Sequence, residues 1–201
     1  GPDPETNPKL RLAMQNAKGV NMPKDRVEAA IKRASDKDAS SYDEVVYEGY
    51  GPHGVAIIVE CATDNSTRTV ANIRSYFNKA GGSLGVSGSV DFMFERKGVF
   101  HIEPVEGTEK DEFELEFIDH GLEKLEIDEE ENEWLIYSEF QDFGKMQSAL
   151  EEGGIEVKKA ELQRIPLTVK EIEEEQGEEV MDLIDKIEED DNVQQVFTNL
   201  G

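Results

Sequence analysis

The chain has 201 residues, 37% of them hydrophobic, enough for one large domain or two to three small ones with real apolar cores. Its longest apolar run, VAIIV at 55–59, falls far short of the ~20 residues that span a bilayer, and the opening GPDPETNP carries no signal-peptide pattern, so the chain reads as soluble. The formal charge of −25 is lopsided: residues 1–100 hold 13 Lys and Arg against 13 Asp and Glu, and residues 101–201 hold 8 against 33.

An acidic half of that density repels nucleic acid and other polyanions, so any anion-binding surface belongs to the first hundred residues. The first 37 residues are net +3. Cys61 is the single cysteine, which excludes an internal disulfide. Its setting in AIIVECA predicts a buried thiol and a reducing, cytoplasmic location.

In chain order, NPKLRLAMQNAKG opens with Asn7 as a cap and Pro8 at the first helical position, sets Leu10, Ala13, Met14 and Ala17 on one face, and stops at Gly19. MPKDRVEAAIKRAS repeats the device, with Val27, Ala30, Ile31 and Ala34 at helical spacing. The two predict a helical hairpin. SDKDASSYD at 35–43 is small and polar and reads as a linker. The period then shifts towards 2, and VVYEGYG and GVAIIVECA predict a β-hairpin turned by GPHG.

DNSTRTVANIRSYFNKAGG predicts a helix capped by Asn65 and Ser66, with Val70, Ile73, Phe77 and Ala80 facing inward and Arg68 and Lys79 opposite. VDFMFERKGVFHIE at 90–103 reads as two strands in succession. From GVFHIE onward the order is strand, helix (EKDEFELEFIDHG), hairpin (LEKLEIDEEENEWLIYSE), helix (FGKMQSALEEGG), strand (IEVKKAELQRI). That is the βαββαβ order of a ferredoxin-like fold. An acidic helix burying Val180, Ile184 and Ile187 and a last strand, VQQVFTN, follow, and the strand needs the sheet begun at 45–62.

The fold class is therefore a multidomain α+β protein: a helical domain at 1–40, a discontinuous α+β domain at 41–96 plus 166–201, and an inserted ferredoxin-like βαββαβ domain at 97–165.

KAGGSLGVSGSV at 79–90 poses the sharpest question, because glycine-rich loops often cradle phosphate. A phosphate loop leads from a strand through glycines into a helix, whereas these glycines follow a helix and precede a strand, with no GK[ST]. A nucleotide cradle is excluded. Gly81 and Gly82 are expected to end the helix in left-handed conformations, and SLGVSGS to form a flexible exposed loop open to a contact role. The N-terminal helices carry Lys9, Arg11, Lys18, Lys24, Arg26, Lys32, Arg33 and Lys37, enough to neutralise several phosphates if they share a face. For catalysis or metal there is little: His53, His101 and His120 lack ligand spacing, and DEEENE lacks the central glycine of a calcium loop.

The blocks NMPKD, YEGYGPxG, TDNxxRT and GGSLGxxGSVxFxFxxKG are long and ordered, and with them the chain resembles the YebC family of bacterial regulatory proteins and their mitochondrial relatives over essentially its whole length. The resemblance implies a helical N-terminal domain and two α+β domains, the third ferredoxin-like and inserted in the second. It implies neither catalytic activity nor an obligatory cofactor. Members are described as DNA-binding transcriptional regulators, and others as translational activators that help the ribosome through proline-rich stalls.

Family members usually begin with a lysine-rich segment ahead of the DPETNP block, where this chain starts. Part of the nucleic-acid contact, or a mitochondrial targeting segment, is therefore expected to lie ahead of it. The expected partner is DNA or ribosomal RNA, bound through Lys9, Arg11, Lys18, Lys24, Arg26, Lys32 and Arg33, through Arg68, Arg74 and Lys79, and through a loop of Gly82, Ser83, Leu84, Gly85, Ser87 and Gly88. A rival role is an adaptor whose acidic domain engages a basic protein.

Overall fold

A computed structural model of the protein describes residues 2–35 and 41–201. Six α-helices and two four-stranded sheets lie among them, an α+β architecture. The chain divides into two compact units, one of residues 1–39 and 96–163, the other of 40–95 and 164–201.

The first unit begins with α1 (Pro8–Gly19) and α2 (Lys24–Ser35). Asn7 caps α1 by accepting the Leu10 N–H at 3.1 Å, one of the donors a helix start leaves free. The turn between the helices passes through Asn21 at φ 53°, a left-handed position that asparagine tolerates. Leu12 packs against the core of the unit. The face expected on α2 is only partly used: Val27 and Ile31 are half-buried, Ala30 and Ala34 are exposed, and no residue of the helix is buried. An alanine methyl offers too little apolar area to force burial, so the heavier Val27 and Ile31 set how far α2 is covered. Of the expected linker, residues 36–40 lie outside the described residues, and so does Lys37.

The rest of this unit runs β4 (Phe94–Ile102), α4 (Lys110–Phe117), β5 (Leu122–Asp128), β6 (Glu133–Glu139), α5 (Phe143–Glu152) and β7 (Val157–Pro166). The sheet order is β5-β6-β4-β7, so the first strand lies between the third and the fourth, as in a split βαβ fold. Alternate residues fill one face: Phe100 and Ile102 of β4 and Trp134 and Ile136 of β6 meet Phe113 and Phe117 of α4 and Met146 and Leu150 of α5. Phe113 stacks on Phe117 with centroids 4.5 Å apart and meets Trp134 edge-on at 5.3 Å, both favoured ring geometries. The two strands expected over 90–103 are one: β4 starts at Phe94, and Asp91–Met93 form a 3-10 turn before it. Alternation is the same in one strand as in two, and a single 3-10 turn leaves no period to detect.

Asn16 of α1 joins the outer edge of β7. Its Nδ2 donates to the Ala160 carbonyl at 2.8 Å, and its Oδ1 accepts the Ala160 N–H at 2.9 Å. A side-chain amide thus satisfies two backbone groups of an edge strand. Asn16→Ala is expected to lower stability by about 1–3 kcal/mol, the range for leaving part-buried backbone groups unpaired. Urea denaturation with hydrogen exchange at Ala160 checks it.

In the second unit, β1 (Asp43–Tyr50) and β2 (Ala56–Thr63) form the hairpin, in register from Asp43↔Thr63 to Tyr50↔Ala56. The turn is closed by Gly51 N donating to Val55 O at 2.8 Å. α3 (Ser66–Lys79), the two-residue β3 (Ser83–Leu84), α6 (Glu174–Glu188) and β8 (Val193–Thr198) complete the unit, with sheet order β3-β1-β2-β8.

The sheet has two covered faces. Tyr47, Ile57, Val59 and Cys61 pack with Ile73 and Phe77 of α3 and with Val180, Leu183, Ile184 and Ile187 of α6. On the other face Ala56 and Ile58 meet Val90, Met93 and Phe94, which belong to the segment that follows the glycines. Burial, reinforced by the Asp190 carboxylate, pushes the Cys61 thiol up to about 11, so it is protonated and unreactive at neutral pH.

Candidate nucleic-acid interface

The glycine segment is pinned in place. Only Gly81, at φ +78°, ends α3 in the left-handed region; Gly82 is not among the positive-φ glycines. Gly82 is glycine for another reason: a Cβ there would run into the Tyr50 carbonyl and the Gly51 backbone. The chain then pairs with β1 at Tyr50↔Ser83 and Gly49↔Leu84, and the Gly85 N–H donates to the Glu48 carbonyl at 2.8 Å. Gly88 is left-handed at φ +83°.

The clamp is the Glu48 carboxylate, a residue only 5% exposed. Oε1 accepts the Gly88 N–H at 2.7 Å, and Oε2 accepts those of Val90 at 2.9 Å and Asp91 at 2.8 Å. Burial alone would raise its pKa. The three N–H bonds and the nearby Arg164 outweigh burial and hold the carboxyl below the ordinary glutamate value. Arg164, side chain 9% exposed, extends the network by donating from Nε to Glu60 Oε1 at 2.8 Å and from Nη1 to Asp91 Oδ1 at 2.5 Å.

Between these anchors the loop exposes Val86 (77%), and the 3-10 turn that directly follows exposes Phe92 (69%). The flexible loop expected from composition is thus a fixed one that presents an apolar and an aromatic side chain. Sequence reading missed Glu48, Arg164, Val86 and Phe92. The one available signal was a glutamate within VVYEGYG, where a pleated face is otherwise apolar.

α3 is set by its N-terminus. Asn65 Oδ1 accepts the Arg68 N–H at 3.0 Å, and the buried Thr63 and Thr69 hydroxyls bond at 2.7 Å. With Ile73 and Phe77 inward, Ala71, Arg74, Ser75, Asn78 and Lys79 line one shallow groove along the outer side. Small residues in its floor allow a backbone to approach, and the two cations rim it. Among the described residues neither Arg74 nor Lys79 has an ion-pair partner. Arg68 differs. Its Nη2 meets Asp64 Oδ1 at 2.6 Å. Carboxylates border both ends of the helix, with Glu189, Asp190 and Asp191 lining a pocket with Arg68, and Glu179 and Asp182 lining one with Lys79.

The N-terminal helices divide in the same way. Lys18 pairs with Glu156 at 3.6 Å and Lys24 with Glu28 at 3.6 Å, both at high exposure. Arg11, Arg26, Lys32 and Arg33 are exposed and carry no ion pair among the described residues; Lys9 is exposed and engaged. By contrast Lys97, Lys110, Lys124, Lys158 and Lys159 each lie against a carboxylate. Cations without an ion pair among the described residues thus include those on α1, α2 and α3; elsewhere Arg96 lies over the Phe140 ring, Lys145 donates to the Asp119 carbonyl, and Lys170 has no ion pair among them. Among the described residues no group of three or more His, Cys, Asp or Glu is placed to hold a metal, and no helix is long and apolar enough to cross a membrane.

The most developed surface features of the second unit are a clamped loop on one face of its sheet and, on the other face, a helix with exposed cations. The chain belongs to the TACO1/YebC family. The model of the TACO1/YebC second and third domain matches residues 42–200, and that of the TACO1/YebC protein N-terminal domain matches residues 1–37. A protein of Porphyromonas gingivalis named a probable transcriptional regulatory protein is 54% identical over 200 residues, spanning 100% of this chain and 82% of its own length. One of the same name in Cytophaga hutchinsonii is 57% identical over 197 residues, 98% of this chain and 82% of its own length. The crystal structure of a conserved hypothetical protein of Aquifex aeolicus superposes with a TM-score of 0.81 at 37% identity, covering 100% of this chain and 82% of that one.

Proposed function

We propose that this protein regulates gene expression by binding nucleic acid through Arg11, Arg26, Lys32 and Arg33 of the N-terminal helices and through the Arg74 and Lys79 groove with its loop. The observation that carries the reading is the set of exposed cations without an ion pair among the described residues on α1, α2 and the outer side of α3, whereas most cations of the acidic segment lie against carboxylates, Lys145 and Lys170 excepted. Free cations release counterions when they meet phosphates, and paired ones must first give up a carboxylate. The names of the relatives agree with a regulatory role.

Val86 and Phe92 favour a second reading. Exposed apolar and aromatic groups on a fixed loop suit unstacked bases of structured RNA, including that of the ribosome, better than a uniform duplex.

Both are tested by binding a duplex DNA and an RNA hairpin with an open loop at 50 and 200 mM salt. With about six phosphate contacts, one for each of these cations, affinity is expected to fall about a thousandfold between the two conditions. The triple reversal Arg26→Glu, Lys32→Glu, Arg33→Glu is expected to remove about half of that salt dependence. Unchanged binding by the triple variant would refute the helical part of the reading. Tighter binding to the hairpin, with salt-stable co-sedimentation on ribosomes, would select the second reading.

A further inference from the structure

The acidic half of the chain has a focus. Residues 103–133 hold 15 Asp and Glu against 2 Lys, so one short segment carries more than half of the net charge. Most of it is α4, the 3-10 turn Ile118–His120 and the β5–β6 hairpin. A solvated acidic surface has no need of large aliphatic groups, yet Leu115 is 74% exposed and Ile118 58%.

The helix explains how they meet. Phe113 and Phe117 turn inward and are buried at 1% and 3%. Leu115 projects from another side, and Ile118, three residues on and still helical at φ −58°, ψ −38°, lies next to it. Asp111, Glu112 and Asp119 stand three and four residues from Leu115 and therefore border the same patch. All three are exposed, and no ion pair of theirs is present among the described residues. A helix with apolar residues on two sides has two surfaces to bury, and the core of the unit takes only one.

From this we infer that the outer face of α4 is a docking site for a cationic amphipathic helix of a protein partner, with apolar residues at i and i+3 or i+4 seated on Leu115 and Ile118 and lysines or arginines meeting Asp111, Glu112, Glu116 and Asp119. Charge selects this occupant. Nucleic acid is repelled by the segment, and the same face of a second copy would set acid against acid. The inference is separate from the nucleic-acid reading, which rests on α1, α2 and α3.

The probe is a synthetic 18-residue peptide of lysines and leucines with leucine at helical spacing, titrated into the full chain and followed by amide shifts and by fluorescence anisotropy. Shifts are expected to concentrate on residues 111–119. A control peptide with every leucine changed to alanine keeps the charge and is expected to bind at least tenfold more weakly.

Leu115→Asp with Ile118→Asp adds negative charge while removing the apolar seat. It is expected to weaken the leucine peptide at least tenfold, with an unchanged circular dichroism spectrum and melting temperature. Equal binding of the two peptides, shifts spread over the acidic surface, or an unaffected double variant would each reduce the site to diffuse attraction and overturn the inference. Self-association of the chain that the leucine peptide fails to displace would also overturn it, by giving the face to a second copy.

Discussion

Glu48→Gln is expected to lower stability by about 2–4 kcal/mol and to free residues 85–91, because one substitution touches three hydrogen bonds to a buried charged acceptor. The amide keeps one oxygen for a single carboxylate position and sets an NH2 group against backbone N–H groups at the other. Hydrogen exchange should rise at Gly88, Val90 and Asp91 and stay low in β2 and α3. Limited proteolysis should cut the variant near Val86 and spare the parent chain. A variant whose loop amides exchange as slowly as in the parent would show that the β3 pairing and the Val90 and Phe94 packing suffice by themselves.

The same carboxylate sets a pH dependence. Its folded pKa lies below the ordinary 4.5, so it contributes stability above that value and loses the contribution as pH falls through the lowered folded pKa. Acid titration should loosen the loop of the parent before global unfolding, and Glu48→Gln should lack that step.

The second large effect concerns binding. Arg74→Glu with Lys79→Glu is expected to weaken nucleic-acid binding by one to two orders of magnitude and to lower the salt slope by about two, one for each phosphate left without its cation. Arg68→Glu, half that change of charge on the same helix, is expected to have far less than half the effect, since Asp64 already occupies that guanidinium. An effect of Arg68→Glu half as large as that of the double variant, in proportion to charge, would show that overall charge governs binding, with no role for the groove itself.

The sequence made much of this legible. Asn7 and Asn65 announce helix starts because only short polar side chains reach back to the free N–H groups, and the change from period 3.6 to period 2 marks the β1–β2 hairpin. The partner strand of β2 could be anticipated because a lone terminal strand must find a sheet.

What escaped depends on neighbours distant along the chain. Composition predicts that SLGVSGS is loose, and nothing in those residues reveals that a carboxylate some 40 positions earlier holds their amides. Gly82 looks like a helix terminator like its neighbour, but the approach of Tyr50 and Gly51 demands it. One local signal also escaped: Arg68 and Lys79 share an azimuth on a helical wheel, but Asp64, four residues before Arg68, is legible in the sequence as its i,i+4 partner.

Asn16 carries a consequence of another kind. Sheet edges are where folded chains recruit one another into aggregates, because an unpaired strand offers a ready template. By holding both the N–H and the carbonyl of Ala160, Asn16 leaves an incoming strand neither donor nor acceptor at that position of β7. A chain crowded among many copies of itself during synthesis is thereby denied one route to fibrous assembly, by a side chain whose removal would first be felt as turbidity.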